Sequence, residues 1–288
     1  MTTRLTLSHA LSPLHAGTGQ AVGAIDLPIA RERPTGIPLL PGSSIKGALR
    51  ARIKDPAWQK AIFGPQTANA GEHAGAVQFA DAHLLLLPVR SLWGTFAWVS
   101  SPYLLQRFAR DLREAGVAVS MPRKLATIET CLLPAGSALA GSSSGDRVIL
   151  EDLDFKPQHD KAIDALCTQL DTYLELGAAA RLCIVHDDVM STLMETATEV
   201  CARIRLDPDT KTVDGGALWY EESLPTESVL FGLAVATDAF APNNAPRRSG
   251  LQLLDHIAEH AGKQALQFGG KATVGRGVCR MRLVGGAT

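Results

Sequence analysis

Nothing in these 288 residues is both long and apolar enough to span a bilayer: the longest apolar run, Leu84 to Val89, falls far short of about 18 residues. The start, Met1 to His9, has no basic region followed by an apolar stretch, so a secretory signal is absent and a cytoplasmic protein is expected. Cysteine is sparse. Cys131, Cys167, Cys183, Cys201 and Cys279 are odd in number and widely spread, with no Cys-x-x-Cys pair. Such spacing argues against a structural zinc and a disulfide framework, and for small buried hydrophobes in a reducing compartment. Charge of one sign is missing too. Lys and Arg total 28 against 29 Asp and Glu, a net charge of -1, which excludes a histone-like cation and an acidic disordered tail. No internal repeat period is visible.

What is present is ordinary globular chemistry, 46% hydrophobic and 20% charged, enough for one large or two modest domains with a real core. The charge is unevenly placed. Residues 1–60 hold eight Lys/Arg against three Asp/Glu, and residues 247–288 seven against two, whereas residues 151–200 hold three against eleven. If the two basic ends meet in space, they form one positive surface suited to a polyanion such as nucleic acid; scattered over solvated faces, they mean little.

Alternation over Thr3 to Leu11 predicts a first strand. A Gly- and Pro-rich segment from Pro13 to Pro41 is too long for a mere connection. Gly42 to Ile53 predicts a Ser-capped helix whose Ile45, Leu49 and Ile53 share a face. A loop follows at 65–75, with strands at Val77–Val89 and Phe96–Val99, and a helix over Pro102–Ala115. Gly141 to Gly145 reads as a flexible link, followed by helices over His159–Leu176 and from Asp187 to Val200. Short runs at Cys201–Leu206 and Gly216–Tyr220 form an extended hairpin. Val229–Thr237 and Val278–Val284 are strands around a helix at Gly250–Ala261. The order at the two ends predicts an α+β fold: a ferredoxin-like (RRM-like) sheet covered by helices on one face, enclosing a helical middle.

Three segments can carry chemistry. Pro41 to Arg50 sets a glycine turn and two hydroxyls at a helix start, where free N–H groups receive phosphate, with Lys46 and Arg50 one turn apart. Gly269 to Gly277 nearly has P-loop spacing, but Arg276 replaces the lysine and Gly277 the Mg²⁺-ligating hydroxyl, which disfavours nucleotide hydrolysis. Lys271 and Arg276 between glycines still suit a close sugar–phosphate backbone. In the long loop, Asp26 lies near His15, Arg31 and Arg33 in sequence; it is either a metal ligand or proton acceptor, or an acid that holds a turn. His186-Asp187-Asp188, directly before a helix, reads as a cap rather than a metal site.

The runs His15–Gly19, Gly23–Pro38 and Pro41–Arg50, with Asp81–Ser91, Gly216–Pro225 and Gly269–Gly277, resemble the RAMP superfamily of CRISPR proteins. The Asp26-Leu-Pro-Ile-Ala-Arg31-Glu-Arg33 stretch narrows the resemblance to the repeated backbone (fourth) subunit of Cmr, type III-B, RNA-targeting complexes. The sister subunit of Csm complexes shares the earlier motifs. The resemblance implies a ferredoxin-like palm over 1–140 and 229–288, with a helical fingers insertion and a β-hairpin thumb within 141–228. It implies stacking into a filament along a guide RNA beside other Cmr subunits, and metal-dependent cutting of paired target RNA at regular intervals. Asp26 falls on the family's catalytic aspartate and would hold Mg²⁺ or Mn²⁺. Gly42, Ser43, Ser44, Lys46, Gly47 and Arg50 would touch the guide backbone, as would Lys271 and Arg276, and Arg31 and Arg33 would bind RNA as well. Trp219 and Tyr220 would wedge against a displaced base. His15 is a candidate acid or base. Pro34 stands where the family pattern often has histidine.

The chemistry such a subunit needs is modest. RNA's own 2′-OH attacks the adjacent phosphodiester once a splayed nucleotide aligns the reacting atoms, and a single carboxylate assists. The alternative expectation is a non-catalytic RNA-binding scaffold whose Asp26 only orders its loop. A small-molecule phosphotransferase lacks the metal-ligating hydroxyl.

Overall fold

The computed structural model describes residues 1–20, 23–65, 73–122, 127–141, 147–207, 209–210, 212–240 and 247–286, with the backbone alone at 213–216. The chain opens with β1 (Thr2–Ala10), where Leu5 and Leu7 alternate with Thr6 and Ser8 and so face opposite sides of a sheet. A long irregular segment leads to β2 (Leu39–Leu40) and α1 (Gly42–Arg52), then α2 (Pro56–Phe63). Next come β3 (Val77–Phe79), β4 (Ala82–Arg90), β5 (Phe96–Ser100) and α3 (Pro102–Glu114). The middle holds β6 (Thr130–Leu133), β7 (Val148–Leu150), β8 (Leu153–His159), α4 (Lys161–Leu174), α5 (Ala178–Arg181), β9 (Leu182–Ile184) and α6 (Asp187–Thr196). β10 (Glu199–Leu206), β11 (Val213–Ser223), β12 (Val229–Ala236), α7 (Gly250–Lys263), β13 (Leu266–Gln267) and β14 (Val278–Val284) complete it.

The main sheet runs β13-β14-β1-β12-β4-β5-β9-β6-β8-β7, with β2 on β4 and β3 on β12. The first and last long strands are neighbours, His9 standing opposite Arg280, so the two basic ends of the chain do meet. Two apolar layers sandwich this sheet. On one side Ile45, Leu49 and Ile53 of α1 and Leu253, Leu254 and Ile257 of α7 are buried with Leu230 and Ala234 of β12. On the other, Leu105, Phe108 and Leu112 of α3 pack with Leu5, Leu7 and Phe231, the Phe108 and Phe231 rings meeting edge-on at 5.4 Å. Alternate residues of β12 thus feed alternate layers, as a strand buried on both faces requires.

The middle is less helical than expected. β6, β8 and β9 extend the sheet beyond β5, and β6 runs parallel to β8 with Leu133 opposite His159. A division at residue 140 therefore runs between paired strands. β8 is mostly exposed and carries Pro157, so it lacks the apolar alternation that betrays a strand in sequence. The link expected at Gly141–Gly145 and the loop expected at 65–75 lie largely outside the described residues. β10 and β11 form a hairpin of their own, Ala202 facing Tyr220 and Ile204 facing Leu218.

Candidate nucleic-acid interface and catalytic loop

α1 starts without the expected serine cap. Its N-cap is Pro41, and the Oδ1 of Asp81 accepts from Gly42 N–H at 2.8 Å instead. The reason is geometric: a side chain at residue 42 would meet the Phe79 carbonyl oxygen at 2.1 Å, so glycine lets the helix start press against β3, where Asp81 reaches it. One of the N–H groups predicted to receive phosphate is therefore already held by a carboxylate.

The helix divides the six residues predicted there between two clefts. Ser43, Lys46 and Arg50 line an open cleft of about 570 Å³ together with Gly42, Pro65 and Gly75. Ser44 and Gly47 line a second, of about 380 Å³, whose other walls are Ala16 and Gly17 of the long loop and Gly269 and Gly270 of the C-terminal turn. Arg50 donates to the Pro65 carbonyl at 3.2 Å, whereas Lys46 makes no hydrogen bond or ion pair among the described residues. The two glycine-rich stretches thus share one wall.

His15 locks them together. Its ring is buried, and Nδ1 lies 2.6 Å from the Glu222 carbonyl, which can only accept, so this nitrogen carries the proton. Its own carbonyl accepts from Gly270 N–H at 3.0 Å. Gly269 has φ +69°, and a Cβ there would meet the His15 carbonyl oxygen at 2.3 Å, so no other residue fits.

From Gly17 the loop doubles back, Ala30 N–H bonding Ala16 O at 2.7 Å, and runs along the hairpin, with Leu27 N–H on Tyr220 O and Glu222 N–H on Leu27 O. Asp26 is exposed at the start of this run, its Oδ2 accepting from Tyr220 N–H at 2.7 Å. Its other oxygen carries no hydrogen bond among the described residues. The fixing group is Glu222, a buried carboxylate that accepts from Ile29 N–H at 3.0 Å, Arg31 at 2.5 Å and Thr198 at 3.0 Å. Arg31 also donates to the Met194 and Gly36 carbonyls. Arg33 is exposed and unpaired among the described residues. Between the two arginines, Glu32 takes both guanidinium nitrogens of Arg107, and that hydrogen bond holds its carboxyl below the usual range despite partial burial.

The C-terminal turn is tied to the same hairpin. Lys271 meets Glu221 at 2.7 Å and lies 6.0 Å from the Trp219 ring, while Trp219 Nε1 donates to the same Glu221 oxygen. Arg276 is buried and pairs with Glu199 at 3.1 Å. Burial raises the Glu221 carboxyl, but the hydrogen bonds of Lys271 and Trp219 and the charges of Lys271 and Arg203 bring it net below the usual range. Tyr220 projects from the hairpin, 42% exposed. The acids Glu199, Glu221 and Glu222 were not among the residues singled out; the only trace in sequence is the Glu-Glu pair after Trp219-Tyr220. His186 does cap α6, accepting from Asp188 N–H at 3.2 Å.

The whole chain is similar to known proteins. The CRISPR system Cmr endoribonuclease Cmr4 of Pyrococcus furiosus is 35% identical over 286 residues, covering 96% of this chain and 93% of its own. The CRISPR system CMR subunit Cmr4 of Saccharolobus solfataricus is 23% identical over 305 residues, covering 95% and 94%. The crystal structure of oligomeric Cmr4 from Pyrococcus furiosus superposes with a TM-score of 0.75 at 28% identity, covering 98% of both chains. A chain of the type III-B Cmr-beta complex bound to cognate target RNA shares the fold, with a TM-score of 0.76 at 19% identity and 98% and 97% coverage. The RAMP superfamily model matches residues 9–280, so with the sequence identity above this chain belongs to the RAMP superfamily, among the Cmr4 subunits of CRISPR systems.

Proposed function

We propose that this chain is the repeated backbone subunit of a type III-B CRISPR effector complex, an endoribonuclease that binds guide RNA and cuts the paired target RNA. It associates with further copies of itself and with other Cmr subunits. The relatives' endoribonuclease name, the oligomeric crystal form and the complex with target RNA support this reading. The strand order β14-β1-β12-β4, with α1 between β1 and β4 and α7 between β12 and β14, supports a ferredoxin-like palm over 1–140 and 229–288. The β10–β11 hairpin is the thumb on this reading, with the α4–α6 region as fingers.

The observation that carries the catalytic assignment is an exposed carboxylate, Asp26, held by one oxygen on the hairpin edge with the other left available. The lone pair of that second oxygen accepts a proton or holds a divalent cation. A single carboxylate suits Mg²⁺ or Mn²⁺, which keep several waters and draw further ligands from phosphate oxygens; such an ion would offset charge on the scissile phosphate. Tyr220, whose N–H binds Asp26 and whose side chain is exposed, would hold a base out of the stack, with Trp219 next to it on the hairpin, so that the neighbouring 2′-oxygen lies in line with the phosphorus. The 2′-O–P bond then forms, the 2′-proton leaves toward Asp26, and the P–O5′ bond breaks as its oxygen takes a proton from water, giving a cyclic phosphate and a 5′-hydroxyl. Lys46 and Arg33 neutralise backbone phosphates. His15, protonated on Nδ1 and buried behind Gly17, positions the loop.

The Asp26–Tyr220 bond is also what a purely loop-ordering aspartate would make, which keeps a scaffold role in view. Asp26→Asn separates the two, because its amide oxygen still accepts from Tyr220 while the charge is gone. In the assembled complex, Asp26→Asn is expected to slow cutting by roughly 10²–10⁴-fold with target binding unchanged. Continued cutting at the same positions would overturn the catalytic assignment of Asp26.

A further inference from the structure

On α7, away from the loop just described, His256, Glu259 and His260 each offer one ligand atom, and all three atoms lie within 4.8 Å of one another. Spacing of three and four residues puts them on one helical face. His260 Nδ1 stands 2.9 Å from the His256 carbonyl; the carbonyl only accepts, so Nδ1 is protonated and Nε2 keeps its lone pair. His256 Nε2 is buried with no hydrogen-bond partner, an unfavourable state for a polar atom until something bonds it. Trp58 stacks on the His256 ring, centroids 3.8 Å apart and planes within 3°, and so fixes its orientation. His260 also lies in the last turn of α7, where exposed carbonyls favour a cation.

Two cations oppose this. Lys263 pairs with Glu259 at 2.6 Å, and the Arg248 guanidinium lies 4.4 Å from the Trp58 ring. The Lys263 pair is exposed and spaced i,i+4, so it is weak and easily given up to a metal ion.

We propose that His256, Glu259 and His260 form a site for a borderline transition-metal ion of the Zn²⁺ class, the remaining coordination coming from solvent. Two imidazoles and one carboxylate suit such ions, and do not suit Mg²⁺ or Ca²⁺, which take oxygen ligands. Cysteine spacing is silent about this face. The site is independent of cutting at Asp26, since a different metal class and a different face are involved.

The test titrates the full-length chain with Zn²⁺ against a chromogenic chelator, and with Ni²⁺ while following tryptophan fluorescence. One Zn²⁺ per chain is expected, undisturbed by excess Mg²⁺, with Ni²⁺ quenching an emission component that Trp58→Phe removes. His256→Ala and His260→Ala each weaken Zn²⁺ at least about tenfold, the scale on which even outer partners of a ligand act. His186→Ala changes nothing. Lys263→Met, which leaves both histidines and the helix intact, tightens binding and covers the case in which His256→Ala unfolds. Absence of saturable Zn²⁺ binding, or a stoichiometry that survives both histidine variants, overturns the site.

Discussion

Lys46, early in α1, and Arg276, in the C-terminal glycine-rich turn, lie near opposite ends of the chain, and both belong to the basic excess of those ends. Their circumstances differ. Among the described residues Lys46 faces a cleft with no partner, while Arg276 is buried against Glu199, and Lys271 beside it is held by Glu221. Arg31 and Arg33 repeat the contrast two residues apart, one fastened to Glu222 and the other exposed. Formal charge is therefore a poor guide to available charge. One set of cations is open to phosphate, and the other braces the hairpin and the loop that carries Asp26, so that the first set and Asp26 keep their places.

The sharpest way to break this contrast is to free a fastened cation. Glu222→Ala leaves Arg31 and the Ile29 N–H without their buried acceptor and removes a partner of Thr198. Removing one member of a buried, hydrogen-bonded pair is expected to cost about 3 kcal/mol, measured by urea unfolding. The loop carrying Asp26 loosens with it, so cutting falls further than guide binding does. A stability change below about 0.5 kcal/mol would mean that Glu222 does not fasten the loop.

How much of this was readable beforehand follows the same division. The stripe Ile45, Leu49, Ile53 predicted α1 because helical period is local, and all three are buried. Likewise the hairpin, expected from the runs Cys201–Leu206 and Gly216–Tyr220, came from local composition. The partners of the cations did not. Glu199 to Arg276 and Glu222 to Arg31 join residues far apart in sequence, and an ion pair across the fold leaves no spacing to find. Asp81 capping α1 escaped notice for that reason, and β8 because its exposed face carries no alternation.

A second comparison uses salt. Lys46→Ala, an open cation, is expected to leave stability within about 0.5 kcal/mol, weaken guide RNA binding and reduce the salt slope of affinity by about one. Arg276→Ala should do the reverse, costing about 1–2 kcal/mol of stability through the uncovered Glu199 while leaving the salt slope near its original value. Filter binding across a salt series and thermal unfolding read both. Equal salt slopes for the two variants would erase the distinction drawn between them.

The smallest effect concerns acid. Glu221 has a folded-state pKa below its ordinary value of 4.5, so it binds a proton less readily folded than unfolded. Its contribution is therefore complete above that ordinary value and is lost as pH falls through the lowered one. As Glu221 gains its proton, Lys271 and Trp219 lose a charged acceptor and the C-terminal turn loosens from the hairpin. Glu221→Gln is already uncharged at every pH, so the difference in unfolding free energy between wild type and Glu221→Gln should be flat near neutrality and shrink below pH ~4.5. A difference that instead grows on acidification would mean that burial, which disfavours the charged form, outweighs the three cationic and donor groups around this carboxylate.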